Sequence, residues 1–288
     1  MTVTLLIVAA IAVAGPVLVS LLVEALRPEP PEPVALSWAP DLPVQHTDVD
    51  GVRLRYVKAG EGPPLVLLHT LRTQLDIFQK VIPELAEDFT VYAPDYPGHG
   101  WSDIPAVDYS PAFFVGIVGR FLDEQKIRNA TLAGVSIGGT IPLLLAAHRH
   151  PGVARVVAIN PYDYAKGRGI VRANLVARLI FTLARIPVLG DCNALQHNLL
   201  VERKIMEGGV ADSEALPGAF LQTYAASCRR GHYCALLNLI RNADKWESPR
   251  SEYGKTSVPM LVIHGIMIGR ATRSAASRSK EFPAPNWR

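Results

Sequence analysis

The stretch Asn129-Ala-Thr-Leu-Ala-Gly-Val-Ser-Ile-Gly-Gly-Thr-Ile-Pro-Leu-Leu-Leu-Ala-Ala-His148 contains two regular elements and a tight connection. Thr131 to Ala133 is a short apolar run that predicts a buried strand, and Gly139 to His148 predicts an apolar helix. Between them, Gly134-Val135-Ser136-Ile137-Gly138 fits the pattern G-x-S-x-G. The pentapeptide alone is a weak signal, because glycine and serine meet often by chance. Flanked by a strand and a helix, it predicts the strand–turn–helix unit that decides the fold.

The central serine of this turn is a candidate nucleophile. So tight a connection holds Ser136 in a strained backbone conformation, and the glycines on both sides leave room for the chain to pass itself. The serine hydroxyl is then lifted clear of the sheet at the amino terminus of a helix. There the backbone N–H of Ile137 can face an oxygen that becomes negatively charged during a reaction.

Two upstream segments extend this pattern into a family resemblance. Pro64-Leu-Val-Leu-Leu-His69 predicts a strand that ends in a histidine-led turn, and Tyr92-Ala-Pro-Asp-Tyr-Pro-Gly-His-Gly-Trp-Ser-Asp103 is similar to the D-x-x-G-x-G-x-S loop of the α/β-hydrolase family. The three motifs occur in the family's order between about residues 45 and 160, so the chain resembles the serine-nucleophile branch of that family. The implied fold class is α/β, with a mostly parallel central sheet, flanking helices and a helical cap.

The resemblance implies roles for individual residues. Ser136 would be the nucleophile of a Ser–acid–His triad. The backbone N–H groups of Leu71 and Ile137 would form the oxyanion hole that stabilises the negative charge. Most family members have glycine where this chain has Thr70, so the turn that binds the carbonyl oxygen is expected to be narrower or differently shaped.

The residues around this turn have structural interpretations as well. His69, Thr70 and Arg72 are the candidate substrate-binding residues, because they lie beside the predicted oxyanion hole. Arg72 could bind a substrate carboxylate or lie in solvent. His69 and His99 can instead hydrogen bond to the backbone of their own loops. Asp95 is predicted to tie its loop together by accepting backbone N–H groups.

The amino terminus is predicted to lie outside the globular body. Val3 to Val23 carries no charge and is long enough to cross a bilayer as a helix, with a kink at Gly15-Pro16. We therefore interpret residues 1–26 as a transmembrane helix that anchors a single-pass membrane protein. The alternative is a signal segment that is cleaved before secretion, although no Lys or Arg precedes the apolar run as such a segment would require.

The rest of the chain divides by composition. Residues 27–42 are rich in proline and predict a stiff, extended linker. The hydrolase core is expected to occupy residues 43–160 and to return with a strand in residues 251–265. Residues 161–250 show no strand of the main sheet and predict a helical cap over the site. Within this cap, a helix over residues 175–189 either packs on the core or dips into a bilayer.

Residues 266–288 do not fit the family pattern. After the strand that ends at Gly265, the resemblance implies Gly-x-x-Asp and, one strand later, the catalytic histidine. Ile268 stands at the aspartate position, and the tail contains no histidine. Suitable codons read one nucleotide earlier from Gly265 give Asp-His-Asp-Trp, which restores the pattern. We therefore hypothesise a single-nucleotide deletion near codon 265, while Asp163 is either a substitute acid or a turn residue at the hinge of the cap.

Composition narrows the range of partners. The chain has a net charge of +3, but the tail alone contributes +4, so the remaining chain carries only −1. A basic isoelectric point that comes from the tail predicts no nucleic-acid partner. Cys192, Cys228 and Cys234 are odd in number and lack metal-like spacing, so they predict ordinary thiols rather than a zinc site or a disulfide. No metal and no cofactor are expected.

The resemblance implies a membrane-anchored serine hydrolase that acts on an ester or another small lipophilic acyl substrate through an acyl-enzyme. Loss of the triad aspartate and histidine would impair this chain, and one alternative is an inactive relative that serves as a binding module. Cofactor-free haloperoxidases and carbon–carbon bond hydrolases share the same triad and remain alternatives. Epoxide hydrolases and haloalkane dehalogenases use an aspartate nucleophile, and Ser136 disfavours both.

Overall fold

A central sheet forms the body of the molecule. The structure, a computed structural model, describes residues 2–162, 175–191, 199–207, 218–246 and 248–264. Its strands within these ranges are Val44–Val49 (β1), Val52–Ala59 (β2), Pro64–Leu68 (β3), Thr90–Pro94 (β4), Ala130–Val135 (β5), Val153–Ile159 (β6) and Met260–Ile263 (β7). They lie in the spatial order β1-β2-β4-β3-β5-β6-β7. Strand β2 is antiparallel to β1 and β4, whereas all pairs from β4 to β7 are parallel, so the predicted mostly parallel sheet is confirmed.

Helices lie on both faces of this sheet. The helices in the described part of the chain are Thr2–Ala25 (α1), Ile82–Leu85 (α2), Pro111–Glu124 (α3), Ile137–Ala147 (α4), Leu175–Arg185 (α5), Leu199–Glu207 (α6), Gly218–Ser227 (α7) and His232–Arg241 (α8), with 3-10 helices at Leu75–Phe78, Ala243–Trp246 and Ser248–Lys255. Val66 and Leu68 pack in one apolar cluster with α3 and α4, and Leu65 and Leu67 pack in a second cluster with α2. Alternate residues of β3 thus face opposite layers, as expected for a strand buried on both sides.

The pair Asp50-Gly51 predicts a type I′ hairpin from the sequence, and the turn between β1 and β2 confirms it. Asp50 and Gly51 both have positive φ, 56° and 77°, as a type I′ hairpin requires. The Gly51 N–H also donates to Asp48 Oδ1 at 2.9 Å. This hairpin gives the sheet its antiparallel edge.

One predicted helix is broken in the structure. The apolar spacing predicts a helix from about Gln74 to Glu87, but the chain forms the 3-10 helix Leu75–Phe78 and then the short helix α2. Pro83 has no N–H and cannot donate a helical hydrogen bond to the preceding turn. The Leu75 N–H, at the amino end of this segment, donates to the side chain of Asp95, 20 residues away. A long-range contact therefore satisfies an N–H that has no acceptor within a helix.

The prediction of a transmembrane helix at residues 1–26 is wrong. In the described part of the chain, no helix combines the length and apolar character needed to cross a membrane. Helix α1 ends against the protein body: Ser20 Oγ donates to the carbonyl of Asp191 at 2.5 Å, and Glu24 Oε1 accepts from the N–H of Gly231 at 2.9 Å. Ser20 and Glu24 are buried against the rest of the protein. The number of apolar residues in this segment therefore does not show what the helix packs against, and this is the physical reason that the prediction fails. The predictions of a single-pass membrane localisation and of a membrane partner depend on this helix, and they fail with it.

The proline-rich segment after α1 lies on the core. Leu36 is 2% exposed and packs in the cluster with α2, and Trp38 is partly buried beside it. Glu32 forms ion pairs with His46 at 2.7 Å and with Arg53 at 2.8 Å. These contacts attach residues 32–38 to the core at α2, β1 and β2.

The described part of residues 161–250 is helical. Helices α5 and α8 pack against each other through the buried residues Ala184, Tyr233, Leu236, Leu237 and Ile240, with Leu71 and Phe181 at the edge of the cluster. We call this group the cap cluster. Because Leu71 follows β3, the cap cluster lies directly over the turn at the carboxyl end of that strand. Residues 265–288, and with them the hypothesis of a shifted reading frame, lie outside the described residues.

Candidate active site

Ser136 occupies the turn between β5 and α4. Its backbone has φ 57° and ψ −119°, a region that residues with a Cβ rarely adopt. Main-chain hydrogen bonds hold the turn: the Ser136 N–H donates to the carbonyl of Ile159 at 2.9 Å, and the Ser136 carbonyl accepts from Gly139 and Thr140 at 2.9 and 3.1 Å. The predicted strand, strained turn and helix are all present.

The glycines on either side of the serine are required by close backbone contacts. A Cβ on Gly134 would lie 2.0 Å from the carbonyl oxygen of Gly138, and a Cβ on Gly138 would lie 2.2 Å from that of Leu68. Both distances are far inside van der Waals contact with rigid backbone. The first turn of α4 therefore packs directly on the end of β3. This packing brings the turn that carries Ser136, which we call the elbow, next to the turn that follows His69.

The turn after β3 is closed by a threonine that the sequence did not single out. Thr73 Oγ1 accepts from the N–H of Thr70 at 3.1 Å and donates to the carbonyl of Thr70 at 2.8 Å. The Thr70 N–H is thus occupied within the turn and is not available to an oxyanion. Threonine hydroxyls bond to nearby backbone groups in turns, but this signal is weak, and Thr70-Leu-Arg-Thr73 carries no stronger one.

The two N–H groups predicted to form the oxyanion hole have no protein acceptor. Among the residues that the structure describes, neither the Leu71 N–H nor the Ile137 N–H hydrogen bonds to a backbone or side-chain group. The side chain of Leu71 packs on the cap cluster, and that of Ile137 is 2% exposed. An amide that lacks an acceptor in so enclosed a place is suited to receive one from a ligand.

His69 is fixed as a structural group. Its Nε2 accepts from the N–H of Tyr96 at 3.0 Å, so the proton lies on Nδ1, which donates to the carbonyl of Thr70 at 2.9 Å. Complete burial lowers the pKa of His69 to about 4, although the bond to Thr70 opposes this shift. Both ring nitrogens are engaged, so His69 holds the turn and has no lone pair to offer the serine.

His99 is buried beside it. Its Nδ1 lies 3.1 Å from the carbonyl oxygen of Pro97, and the ring centroid lies 5.4 Å from that of His69. Burial, and secondly the neighbouring imidazole of His69, lower the pKa of His99 to about 3. The ring is 1% exposed and stays neutral at physiological pH. This geometry agrees with the structural interpretation of both histidines.

Asp95 ties its loop together, as the sequence predicts. Its Oδ1 accepts from the Leu75 N–H at 2.6 Å, and its Oδ2 accepts from the Trp101 N–H at 3.2 Å and from Arg55 Nη1 at 3.0 Å. A Cβ on Gly100 would lie 2.1 Å from Asp95 Oδ2, so the loop needs glycine there. Leu75 and Arg55, which lie 20 and 40 residues away, are partners of Asp95 that the local sequence pattern does not reveal.

Arg72 is enclosed by the protein. The residue is 7% exposed, which removes the solvent alternative, and its backbone has φ 58°. Its guanidinium carbon lies 5.8 Å from the ring centroid of Phe181 in a cation–π contact. Arg72 therefore connects the turn after β3 to helix α5 of the cap.

No described residue activates the serine. Ser136 Oγ has no hydrogen-bond partner within the described ranges. His46 and His148 pair with the surface carboxylates Glu32 and Glu252 at 2.7 and 3.0 Å. Asp163, the predicted substitute acid, lies outside the described residues. The structure thus presents the nucleophile and its neighbouring amides, and its described portion contains no base in contact with Ser136.

Several known proteins are similar in sequence to part of this chain. An uncharacterised protein of Mycobacterium bovis is 28% identical over 227 residues, which is 78% of this chain and 61% of that protein. A haloalkane dehalogenase of Mesorhizobium japonicum is 30% identical over 182 residues, 62% of this chain and 56% of the dehalogenase. The chain therefore spans less than two thirds of the length of these curated relatives.

Solved structures and a family model agree on the fold. The crystal structure of the haloalkane dehalogenase DbeA from Bradyrhizobium elkani is similar with a TM-score of 0.66 and 23% identity, over 79% of this chain and 81% of that one. At this identity the likeness establishes the fold alone. The family model described as alpha/beta hydrolase fold matches residues 63–266, well over half of the chain. The chain is a member of the alpha/beta hydrolase fold family.

Proposed function

We propose that this chain is a serine hydrolase that acts on an ester or another small lipophilic acyl compound. The observation that carries the proposal is the position of Ser136 on the strained elbow, next to two amide groups that have no protein acceptor within the described residues. Strain at a non-glycine residue persists where a function uses it, and a nucleophile lifted from the sheet is such a use.

The proposed chemistry is acyl transfer. Ser136 Oγ attacks the carbonyl carbon, its proton passes to a base, and the carbonyl oxygen becomes an oxyanion that accepts from the Leu71 and Ile137 N–H groups. Collapse of this intermediate expels the alcohol and leaves an acyl-enzyme, which water then hydrolyses. His69 and Thr70 shape the turn from within, and Arg72 lies at its border with the cap.

The surroundings of the turn favour an apolar acyl group. The cap cluster presents Leu71 and Phe181 at its edge over the turn, and its interior contains aliphatic side chains and one tyrosine. An apolar wall beside a polar reaction centre is the usual composition of a small-molecule site. Arg72 lies in the same wall, where a polar group of the substrate would reach it.

The activity of the similar haloalkane dehalogenases does not match the nucleophile of this chain. Haloalkane dehalogenases resemble this chain in fold, but the resemblance assigns them an aspartate nucleophile, and this chain has Ser136. A serine attacking an alkyl halide would leave an ether that water does not hydrolyse readily. Ester chemistry is the better match for a serine at the elbow.

A second candidate is an inactive relative that binds a ligand without turning it over. The observation in its favour is that Ser136 Oγ contacts no histidine in the described part of the chain, while His69 has both nitrogens engaged. The match to the family model ends at residue 266, and the tail that departs from the family pattern begins there.

A fluorophosphonate probe separates the two candidates. We expect weak or absent labelling of this chain, and strong labelling of a version in which the residues after Gly265 are read one nucleotide earlier. Ser136→Ala in that version should abolish the labelling. Equal labelling of both versions would show that another histidine serves as the base. Absence of labelling from both would favour the binding module, and sequencing the gene across codon 265 would test the reading frame directly.

A further inference from the structure

A buried ionic network lies beneath the turn that carries Leu71. Arg55 is 1% exposed, and its Nη1 lies 3.0 Å from Asp95 Oδ2 and 3.5 Å from Asp76 Oδ2. Both carboxylates are almost completely buried. Burial lowers the pKa of Arg55, but the charges of Asp95 and Asp76 outweigh it and raise the pKa overall, so the guanidinium stays charged.

One end of the network holds residues 69–75, which we call the oxyanion turn because they include the Leu71 N–H. The chain from His69 to Leu75 is fixed at its start, where His69 accepts from the Tyr96 N–H, and at its end, where the Leu75 N–H donates to Asp95 at 2.6 Å. Both attachment points lie on the loop after β4. The position of Leu71 between them therefore depends on the position of Asp95.

The other end of the network reaches the amino-terminal segment. Asp76 Oδ1 accepts from Trp38 Nε1 at 2.7 Å, and Asp76 Oδ2 accepts from Gln74 Nε2 at 2.7 Å. Glu32 Oε1 lies 3.6 Å from Arg55 Nε. Residues 32–38 thus supply a hydrogen-bond donor to one buried acid and a carboxylate to the shared arginine.

The charges explain why the indole matters. Asp76 and Asp95 share a single buried cation, Arg55, so Asp76 depends on neutral donors to satisfy its oxygens. Without the indole N–H, a buried carboxylate oxygen loses its donor and competes more strongly for the guanidinium. Arg55 would then move toward Asp76 and away from Asp95. Asp95 would lose the ion pair that fixes its position, so the Leu75 N–H that it accepts would be held less rigidly.

We propose that Trp38 is a positioning residue for the oxyanion turn, acting through Asp76 and Arg55 on Asp95. The amino-terminal segment is in this way part of the scaffold of the site, although it is remote in sequence from every motif of the elbow. The consequence for catalysis rests on the proposed function, whereas the consequence for the turn does not.

The test uses the full-length chain with Trp38→Phe, which keeps most of the aromatic packing and removes the N–H donor. Glu29→Gln is the matched control, because Glu29 lies on the same segment, is more than half exposed, and pairs only loosely with Arg230 at 3.7 Å. Hydrogen exchange is measured by mass spectrometry on peptides covering residues 69–78, with peptides from residues 130–147 as the internal reference.

We expect Trp38→Phe to raise the exchange rate of the 69–78 peptides by roughly tenfold, as loss of one bond to a charged group would do, and to leave the reference peptides unchanged. Glu29→Gln should change neither. When Trp38→Phe is placed in the version with the residues after Gly265 read one nucleotide earlier, the maximal rate of fluorophosphonate labelling should fall by a similar factor, and binding of the probe should not change.

Three results would overturn the proposal: unchanged exchange in Trp38→Phe, an equal rise in the reference peptides, or an equal rise in Glu29→Gln. Should Trp38→Phe fail to fold, Trp38→Leu, which likewise lacks the N–H donor to Asp76, replaces it with the same expected and contrary outcomes. If no version labels, the proposed function fails, yet the exchange data still decide the role of Trp38.

Discussion

Leu68 lies directly opposite Gly134 in the parallel pair of β3 and β5. Because parallel strands end at the same edge of a sheet, the chain leaves β3 at His69 and β5 at Ser136 side by side. The amide donors of one turn and the hydroxyl of the other are therefore neighbours by register. Ligands in open α/β sheets bind at this edge, which is why the site can be placed before any substrate is known.

The strain at Ser136 predicts a gain in stability when its side chain is removed completely. Ser136→Gly should raise the free energy of unfolding by roughly 1 kcal/mol, because glycine adopts φ 57° and ψ −119° without a steric penalty. Ser136→Ala keeps the Cβ and should leave stability almost unchanged. Urea denaturation of the two variants measures the difference, and equal midpoints would show that the turn is not strained.

The close contact of the elbow with β3 predicts a severe effect of one methyl group. Gly138→Ala should lower the free energy of unfolding by roughly 3 kcal/mol or more, since the new Cβ would lie 2.2 Å from the Leu68 carbonyl oxygen and neither backbone can move away. Gly116→Ala on α3 is the control: no atom lies within 4 Å of its Cβ, and helix propensity predicts a gain of up to about 1 kcal/mol. A mild effect at Gly138 would contradict the packing described for α4.

Local signals predicted the sheet and the elbow well. The strands β3 and β5 fall within a few residues of the apolar runs that predict them, because a parallel strand buried on both faces consists largely of consecutive apolar residues. The pair Asp50 and Gly51 determines its hairpin by local backbone preference alone. The elbow was predictable from the G-x-S-x-G pattern between a strand and a helix, although only the contact that requires Gly134 is local and the one that requires Gly138 is with Leu68.

Contacts between distant segments could not be predicted in this way. The network of Arg55, Asp76 and Asp95 joins three segments, and no periodicity marks a charged residue as buried. The bond from the Leu75 N–H to Asp95, 20 residues away, likewise leaves no trace in the local pattern of residues 74–87. The amino-terminal helix was misread for a related reason: composition records apolar content, whereas Ser20 and Glu24 are placed by contacts with residues more than 150 positions away.

The buried histidines predict a loss of stability in weak acid. The pKa of His69 is about 4 in the folded chain, below the usual value of 6.5, so between these pH values the unfolded chain binds a proton and the folded chain does not. The free energy of unfolding is therefore unaffected above pH 6.5 and decreases as the pH falls toward 4, by roughly 3 kcal/mol for a fully buried group. His99, with a pKa of about 3, acts in the same direction and over a wider range.

Urea midpoints measured between pH 7 and pH 4 check this dependence. His99→Asn can keep a donor for the Pro97 carbonyl while it removes the titrating ring, so its stability should vary less with pH than that of the parent chain. His148→Gln, at a half-exposed position, serves as the control and should retain the parent slope. Parallel pH profiles for all three proteins would mean that His99 is not buried as a neutral group.

The hydroxyl of Thr73 predicts that Thr73→Val and Thr73→Ser differ in stability and in labelling rate. Thr73→Val removes the group that accepts from the Thr70 N–H and donates to the Thr70 carbonyl, at a position that is 1% exposed. Leaving these groups unsatisfied should cost about 1–3 kcal/mol of unfolding free energy. It should also slow fluorophosphonate labelling in the version that labels, because the Leu71 N–H lies in the loosened turn. Thr73→Ser keeps the hydroxyl and should retain most of the labelling rate. If valine and serine variants label equally fast, the hydroxyl does not set the geometry of the oxyanion turn, and the attachments through His69 and Asp95 suffice.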